Sequence, residues 1–262
     1  MPEPYATFRY EVAERVATLT IDNPARRNAL TMGTFAEMRD ALARAKADDG
    51  VRVVVLTGAG EQAFSAGADL SSMAASAGHL ELHEARGELG RFIIDIWNLG
   101  KPTIAKVRGY CLAGGFGVAL SCDIVVAAAD AVFGTPEIDV GLWPMMITVP
   151  LIRAMPPKKA LELMMTGRRV SAEEGERLGF VSRVVSTQSL DAAVDELSAT
   201  LAEKAPAAMR LGRDAFYDVL DLDMQHSLRI LQSALTIVTG TEDAAEGIQS
   251  FQQKRPPKWR GR

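Results

Sequence analysis

Two short stretches near the start, residues 7–11 and 16–21, are rich in β-branched and aromatic side chains. They flank Ala13-Glu14-Arg15, a pattern that predicts a hairpin. Apolar residues then recur at helical spacing from 34 to about 46. After the break Asp48-Asp49-Gly50, residues 51–57 form a nearly continuous apolar run of the kind found in strands covered on both faces, closed by Gly58-Ala59-Gly60. A loop rich in Ser, Ala and Gly spans 65–78 and precedes a helix expected to continue to Leu99. Lys101-Pro102 then opens a strand at 103–107. A third cycle sets Gly114-Gly115 before a helix to about 121, then a strand at 124–128 with a short strand at 132–134 beside it. Strands alternating with helices predict an α/β fold with mainly parallel pairing.

Beyond Pro144 the pattern turns helical, with segments at 147–154, 158–166 and 172–178, one strand at 181–185, and four helical segments from 188 to about 253. The chain divides into a core over 1–200 and a helical segment over 201–262 that reads as an appendage to the core. The tail from 254 onward is basic and tipped by an aromatic residue, which predicts a solvated terminus.

With 262 residues, 48% of them apolar, the chain can bury a substantial core. A formal net charge of −4 gives no general attraction to nucleic acid or an anionic membrane, so an anionic ligand must be met by local groups. The first residues lack a basic and apolar leader pattern. No apolar stretch reaches the ~20 residues that span a bilayer, and the protein is expected to be soluble and cytoplasmic. Cys111 and Cys122 lack a secretory framework and are expected as buried free thiols. His79 and His83 stand at i,i+4 spacing without the context of a zinc hydrolase; a solvated helix face is expected and no metal site.

The richest segment is the run 112–123, with Thr135-Pro136-Glu137-Ile138 after it. Paired glycines let the backbone approach a ligand, and the first N–H groups of the apolar helix that follows can face an anion. One carboxylate, Glu137, is placed to act on it. The spacing around Gly114-Gly115-Phe116-Gly117 lacks the Lys-Ser/Thr of a P-loop and the register of a dinucleotide fingerprint.

Five segments together resemble the crotonase superfamily, also called the enoyl-CoA hydratase/isomerase family. They are Asn23-Pro24-Ala25-Arg26-Arg27-Asn28-Ala29-Leu30, Ala63-Phe64-Ser65-Ala66-Gly67-Ala68-Asp69-Leu70, Lys101-Pro102-Thr103-Ile104-Ala105, the run 112–123, and Phe133-Gly134-Thr135-Pro136-Glu137-Ile138. The resemblance implies a spiral of repeated ββα units, a C-terminal helical trimerisation region, and a homotrimer or dimer of trimers. It implies an acyl-CoA thioester substrate, with coenzyme A entering as part of that substrate and no separate cofactor. By motif position the two backbone donors that stabilise the thioester enolate fall on Ala68 and Gly114. Donors aimed at developing charge in a dry site are worth ~3–4 kcal/mol each, read as the loss when one is removed. Arg26, Arg27, Ala29, Ala66, Asp69 and Leu70 match positions along coenzyme A, and Phe251 and Lys254 match an aromatic and a lysine set against it, often from another chain.

Hydratases of this family carry two glutamates. Glu137 matches the second, whereas Gly117 stands at the position of the first. Phe116 and Val118 make that wall apolar, and Leu142-Trp143-Pro144-Met145-Met146-Ile147 replaces the glycine-rich turn that helps hold water. A held water needs two to four polar partners. A single carboxylate suffices to move a double bond by removing a proton from one carbon and returning it to another. Isomerisation with Glu137 as base is therefore expected, its pKa raised by burial among Phe133, Trp143 and Met145. Alternatives are hydration by Glu137 alone, another chemistry of the family, or a non-catalytic acyl-CoA-binding protein. Asp69 is expected to order its loop, Asp139 is a candidate second acid, and His79 or His83 could face substrate. Lys106 and Arg108 depart from the family's small residue and asparagine.

Overall fold

The computed structural model describes residues 5–69 and 78–262. Its larger sheet begins with the expected hairpin, β1 (Phe8–Ala13) antiparallel to β2 (Val16–Ile21). Parallel strands follow in space: β3 (Val53–Gly58), then β5 (Thr103–Val107), β7 (Ile124–Ala128) and β10 (Arg183–Val185). Both faces are covered, and the period of two shows in β3. Val54 and Leu56 join Met38, Leu42, Phe92 and Phe116 in one core, while Val53 and Val55 join Ile104, Val126, Leu190 and Val194 in the other.

The second sheet was the part missing from the sequence pattern. It runs β4 (Ala63–Ser65), β6 (Tyr110–Leu112), β8 (Val132–Gly134), β9 (Arg169–Ser171), with the first three parallel and β9 antiparallel. Thus β8 does not lie beside β7, as its adjacency in sequence suggested. A turn at Ala131, whose N–H donates to Ala128 O, carries the chain into the other sheet. The same step occurs three times, a long strand in one sheet passing to a three-residue strand in the other. This is the ββα repeat that the resemblance implied. At the β5–β6 step Gly109 has φ +60°, and a Cβ there would stand 2.1 Å from Gln62 O.

Helix α1 (Met32–Ala47) starts at a Thr31 cap that exchanges bonds with Thr34. The single helix expected to reach Leu99 is two, α2 (His79–Arg86) and α3 (Glu88–Trp97), parted at Gly87. The Arg91 guanidinium lies over that glycine and Arg91 Nη2 donates to Glu84 O, satisfying a carbonyl at the end of α2. The apolar helix α4 (Gly114–Ser121) is buried along almost its whole length. Helices α5 (Thr148–Ala154), α6 (Pro157–Thr166), α7 (Ala172–Leu178), α8 (Leu190–Ala202), α9 (Pro206–Val219), α10 (Met224–Thr239) and α11 (Glu242–Gln252) complete the chain.

Polar joints fix the helical half to the sheets. Arg213 on α9 donates to Asp123 Oδ2 and to the carbonyls of Trp97 and Ile96, and Tyr217 Oη donates to Asp123 Oδ1. Lys106 pairs with Asp191 at 2.8 Å, and Arg108 donates to Thr187 O. These two departures from the family pattern therefore clamp α8 and the turn before it onto the sheet. The tail's Lys254, Lys258, Arg260 and Arg262 are exposed, as expected, but its backbone is tied down. Asp243, 1% exposed, accepts from the backbone N–H groups of Ala207, Arg260 and Gly261; Trp259 Nε1 donates to Glu203 O, and Arg255 pairs with Glu246. Cys111 and Cys122 are buried free thiols, as expected. Among the described residues no helix is long and apolar enough to cross a membrane.

Candidate active site

Three short parallel strands deliver the site. β4 runs into Gly67-Ala68, β6 into Ala113-Gly114, and β8 into Thr135-Pro136-Glu137, all at the same edge of the second sheet. Gly67 takes φ +96° and Ala113 φ +50°, which turns the backbone at the two donor positions. A Cβ on Gly67 would meet Ala113 Cβ at 2.6 Å, so only glycine permits this approach. A Cβ on Gly114 would lie 3.9 Å from Ala68 N, which places the two backbone segments side by side.

Around Ala68 the backbone bonds leave one donor over. Leu30 N donates to Gly67 O and Asp69 N to Leu30 O, while the Ala68 N–H has no acceptor among the described residues. Gly114 opens α4, so its N–H has no intrahelical partner either. Both residues are accessible at the surface. The Ala68 turn is pinned from behind by two residues to which the sequence pattern gave no role. Buried Asn28, at φ +55°, donates from Nδ2 to Ala59 O and Ala63 O and accepts from Asn23 N. Ser65 Oγ donates to Asn28 O and accepts from Gly67 N. An Asn in the loop after Asn23-Pro24, a residue type that tolerates left-handed backbone, was the available signal.

Glu137 sits in the one-turn helix Pro136–Val140, ended by Gly141 at φ +75°. Its Oε2 is buried with no hydrogen-bond partner among the described residues, and Thr135 Oγ1, two residues away, is in the same state. Burial raises the Glu137 pKa above the ordinary 4.5, against a smaller opposite effect from its own backbone N–H. Met145 is not part of that burial, being 71% exposed. Phe133 instead packs with Phe116 and Phe180, ring centroids 5.1–5.4 Å apart.

At Gly117 the site departs from a two-acid arrangement in space as well as in sequence. A Cβ added there would stand 2.1 Å from Ile147 Cγ2 and 2.8 Å from Ile147 Cβ. Asp139, the candidate second acid, is exposed and lies against the Gly167 turn after α6, where a Cβ would be 3.1 Å from its Oδ1. His79 and His83 are exposed on α2.

Of the residues matched to coenzyme A, Arg26 and Asp69 form an ion pair at 2.7 Å, which ties the two loops together. Arg27 lies 6.0 Å from the Tyr110 ring centre, and its loop lines a cleft with Pro24, Asn28, Gly60 and Gln62. Ala29 and Ala66 are half-buried on the same two segments, joined by Ala66 N donating to Arg27 O. Leu70 lies outside the described residues. Phe251, 86% exposed, and Lys254 stand at the end of α11, which packs on α9 and α10; no bond or ring contact joins them to the Arg26–Asp69 loops.

The fold coincides with that of known proteins. The enoyl-CoA hydratase/isomerase family profile matches residues 11–262. A carnitinyl-CoA dehydratase of Citrobacter koseri is 37% identical over 254 residues, covering 94% of this chain and 95% of that protein. The crystal structure of an enoyl-CoA hydratase from Mycobacterium smegmatis superimposes with a TM-score of 0.93 at 32% identity, covering 98% of this chain and 99% of that one. One from Bacillus anthracis gives 0.92 at 31%, covering 98% and 100%. The chain belongs to the enoyl-CoA hydratase/isomerase family. It is an acyl-CoA enzyme of the crotonase superfamily.

Proposed function

We propose that the protein moves a carbon–carbon double bond within an enoyl-CoA thioester, using Glu137 as its only acid–base group. The observation that carries this reading is Glu137, its Oε2 buried and without a partner among the described residues, at the end of the sheet that also carries Ala68 and Gly114, with Ile147 packed where a second acid on α4 would begin. Glu137 as carboxylate takes a proton from the carbon next to the thioester of a 3-enoyl substrate. The electron pair moves onto the thioester oxygen, which the two N–H groups hold. The resulting carboxylic acid returns the proton to the far carbon of the former double bond; the carbonyl re-forms and the double bond now lies next to the thioester. Nothing is gained or lost overall. The raised pKa suits both halves of the cycle, since the group must accept and then release the proton.

Arg26, Arg27, Ala29, Ala66 and Asp69 hold coenzyme A along the two pinned loops. Phe251 and Lys254 serve the site of a second copy. Helix α10 has no buried residue and exposes Met224, Leu228, Leu231 and Leu235, a face that a homotrimer would cover.

The names of the relatives favour a second reading, hydration or dehydration with Glu137 alone. Purified protein supplied separately with a 3-enoyl-CoA and a trans-2-enoyl-CoA of equal length separates the two by 2-enoyl absorbance. A rise from the 3-enoyl substrate that Glu137→Gln abolishes supports isomerisation. Decay of the 2-enoyl signal at a comparable rate establishes hydration instead. No turnover of either, with binding retained, would leave an acyl-CoA-binding protein.

A further inference from the structure

Two consecutive residues of the 143–148 segment each fill a notch left by a glycine on a different helix. Met146 Cε lies where a Cβ on Gly90 of α3 would be, 2.5 Å from it, and Ile147 fills the space above Gly117 of α4. The two contacts differ in kind. Met146 reaches Gly90 with the free end of a flexible side chain and is 42% exposed, whereas Ile147 meets Gly117 with its branched Cβ and Cγ2 and is 2% exposed. Ile147 also stands at the start of α5, where Leu151 N donates to its carbonyl, so its backbone cannot retreat without disturbing that helix. Pro144 O accepts from Thr148 Oγ1 at 2.8 Å and closes the segment on itself.

From this we infer that Ile147 determines the reaction outcome, by filling the volume in which a second acid and its water would sit. The inference rests on the one-carboxylate reading of the site and extends it. The absence of a glutamate at position 117 is then only half of the device. Restoring that glutamate alone cannot create a water site, because its first side-chain atom would collide with a rigid buried neighbour. Ile147→Ala would not suffice as a companion change, since Cβ of residue 147 would remain 2.8 Å from the new Cβ. Ile147→Gly leaves only the Cα, at an ordinary contact distance of 3.7 Å.

The test has a structural arm and a chemical arm. In the first, the unfolding midpoints of Gly117→Ala, Ile147→Gly and the double variant are compared. Gly117→Ala alone should lower the midpoint by roughly 5 °C or more, and should cost almost nothing in the Ile147→Gly background. Strictly additive losses would overturn the inferred contact. In the second arm, hydration of trans-2-enoyl-CoA is followed in Gly117→Glu and in Gly117→Glu/Ile147→Gly. The double variant should exceed wild type by about a hundredfold, the low end of what a positioned acid contributes, and the single variant should not. An equal gain in the single variant, or no gain in a double variant that folds and still isomerises, would overturn the inference. Wild-type turnover of the 3-enoyl substrate tests the isomerase reading separately, because here only the increase over wild type is read.

Discussion

Asp123 directly precedes β7 and Glu137 follows β8, yet the chain treats the two carboxylates in opposite ways. Asp123 accepts from the Thr103 N–H and hydroxyl, from the Arg213 guanidinium and from the Tyr217 hydroxyl, spending both oxygens on holding α9 against the sheet. Glu137 keeps one buried oxygen with no partner among the described residues. A carboxylate saturated by its own protein has nothing left for a ligand, and one left buried and unsatisfied weakens the fold unless something else uses it. On the proposed function, the contrast separates an acid that builds the molecule from one reserved for chemistry.

The sharpest break of the comparison is exchange of each acid for its amide. Glu137→Gln should cut turnover of the 3-enoyl substrate by about 10²–10⁴-fold, the contribution of a positioned general base, with no loss of unfolding midpoint. Asp123→Asn should do the reverse. The Arg213 side chain is only 6% exposed, so its partner's neutralisation leaves a buried guanidinium without a counter-charge. A loss of about 3–5 kcal/mol is expected in denaturant unfolding. A stable, fully active Asp123→Asn would erase the distinction.

A smaller effect falls on the residues that aim the Ala68 donor. Ser65→Ala removes the bond to Asn28 O and the acceptor for Gly67 N, and should cost about 1–3 kcal/mol of stability. Because it loosens the turn carrying Ala68, kcat should fall more than KM rises. A change in KM alone would mean that Ser65 supports coenzyme A and not the donor.

The long strands of the larger sheet and most helices were legible in the sequence, because a continuous apolar run such as 51–57 or a helical period has one reading at that length. The second sheet was not. Its strands have three residues each, too few for a period of two to show, and Val132–Gly134 looked like a neighbour of the strand before it. The same shortness hid the reason the segments of Ala68, Gly114 and Glu137 leave the sheet at the same end, which is that each follows one of three parallel three-residue strands. The motif resemblance picked out those positions without that geometry. Gly117 could be read as a missing acid, but not that Ile147, thirty positions on, fills the space. The basic tail was legible as solvent-exposed, but not as tethered, because the groups that hold its backbone, such as Asp243, are unremarkable in sequence.

The finest test of the contrast is the pH dependence of Glu137, because it sets stability against activity in one window. Burial raises the carboxyl's pKa above the ordinary 4.5, so between 4.5 and the raised value the folded chain binds more protons at this group than the unfolded chain does. By linkage, that contribution to stability is fully present below 4.5 and is lost as pH rises through the folded pKa. Glu137→Gln carries no such proton, so the midpoint of the variant should climb relative to wild type across this interval and then level off. The base must be ionised to act, so kcat/KM of the wild type should rise across the same interval, with an acid limb centred above 4.5. One carboxyl thus makes the protein less stable and more active as it ionises. Coincidence of the two curves assigns both to Glu137, and an acid limb at or below 4.5 would place the working base elsewhere.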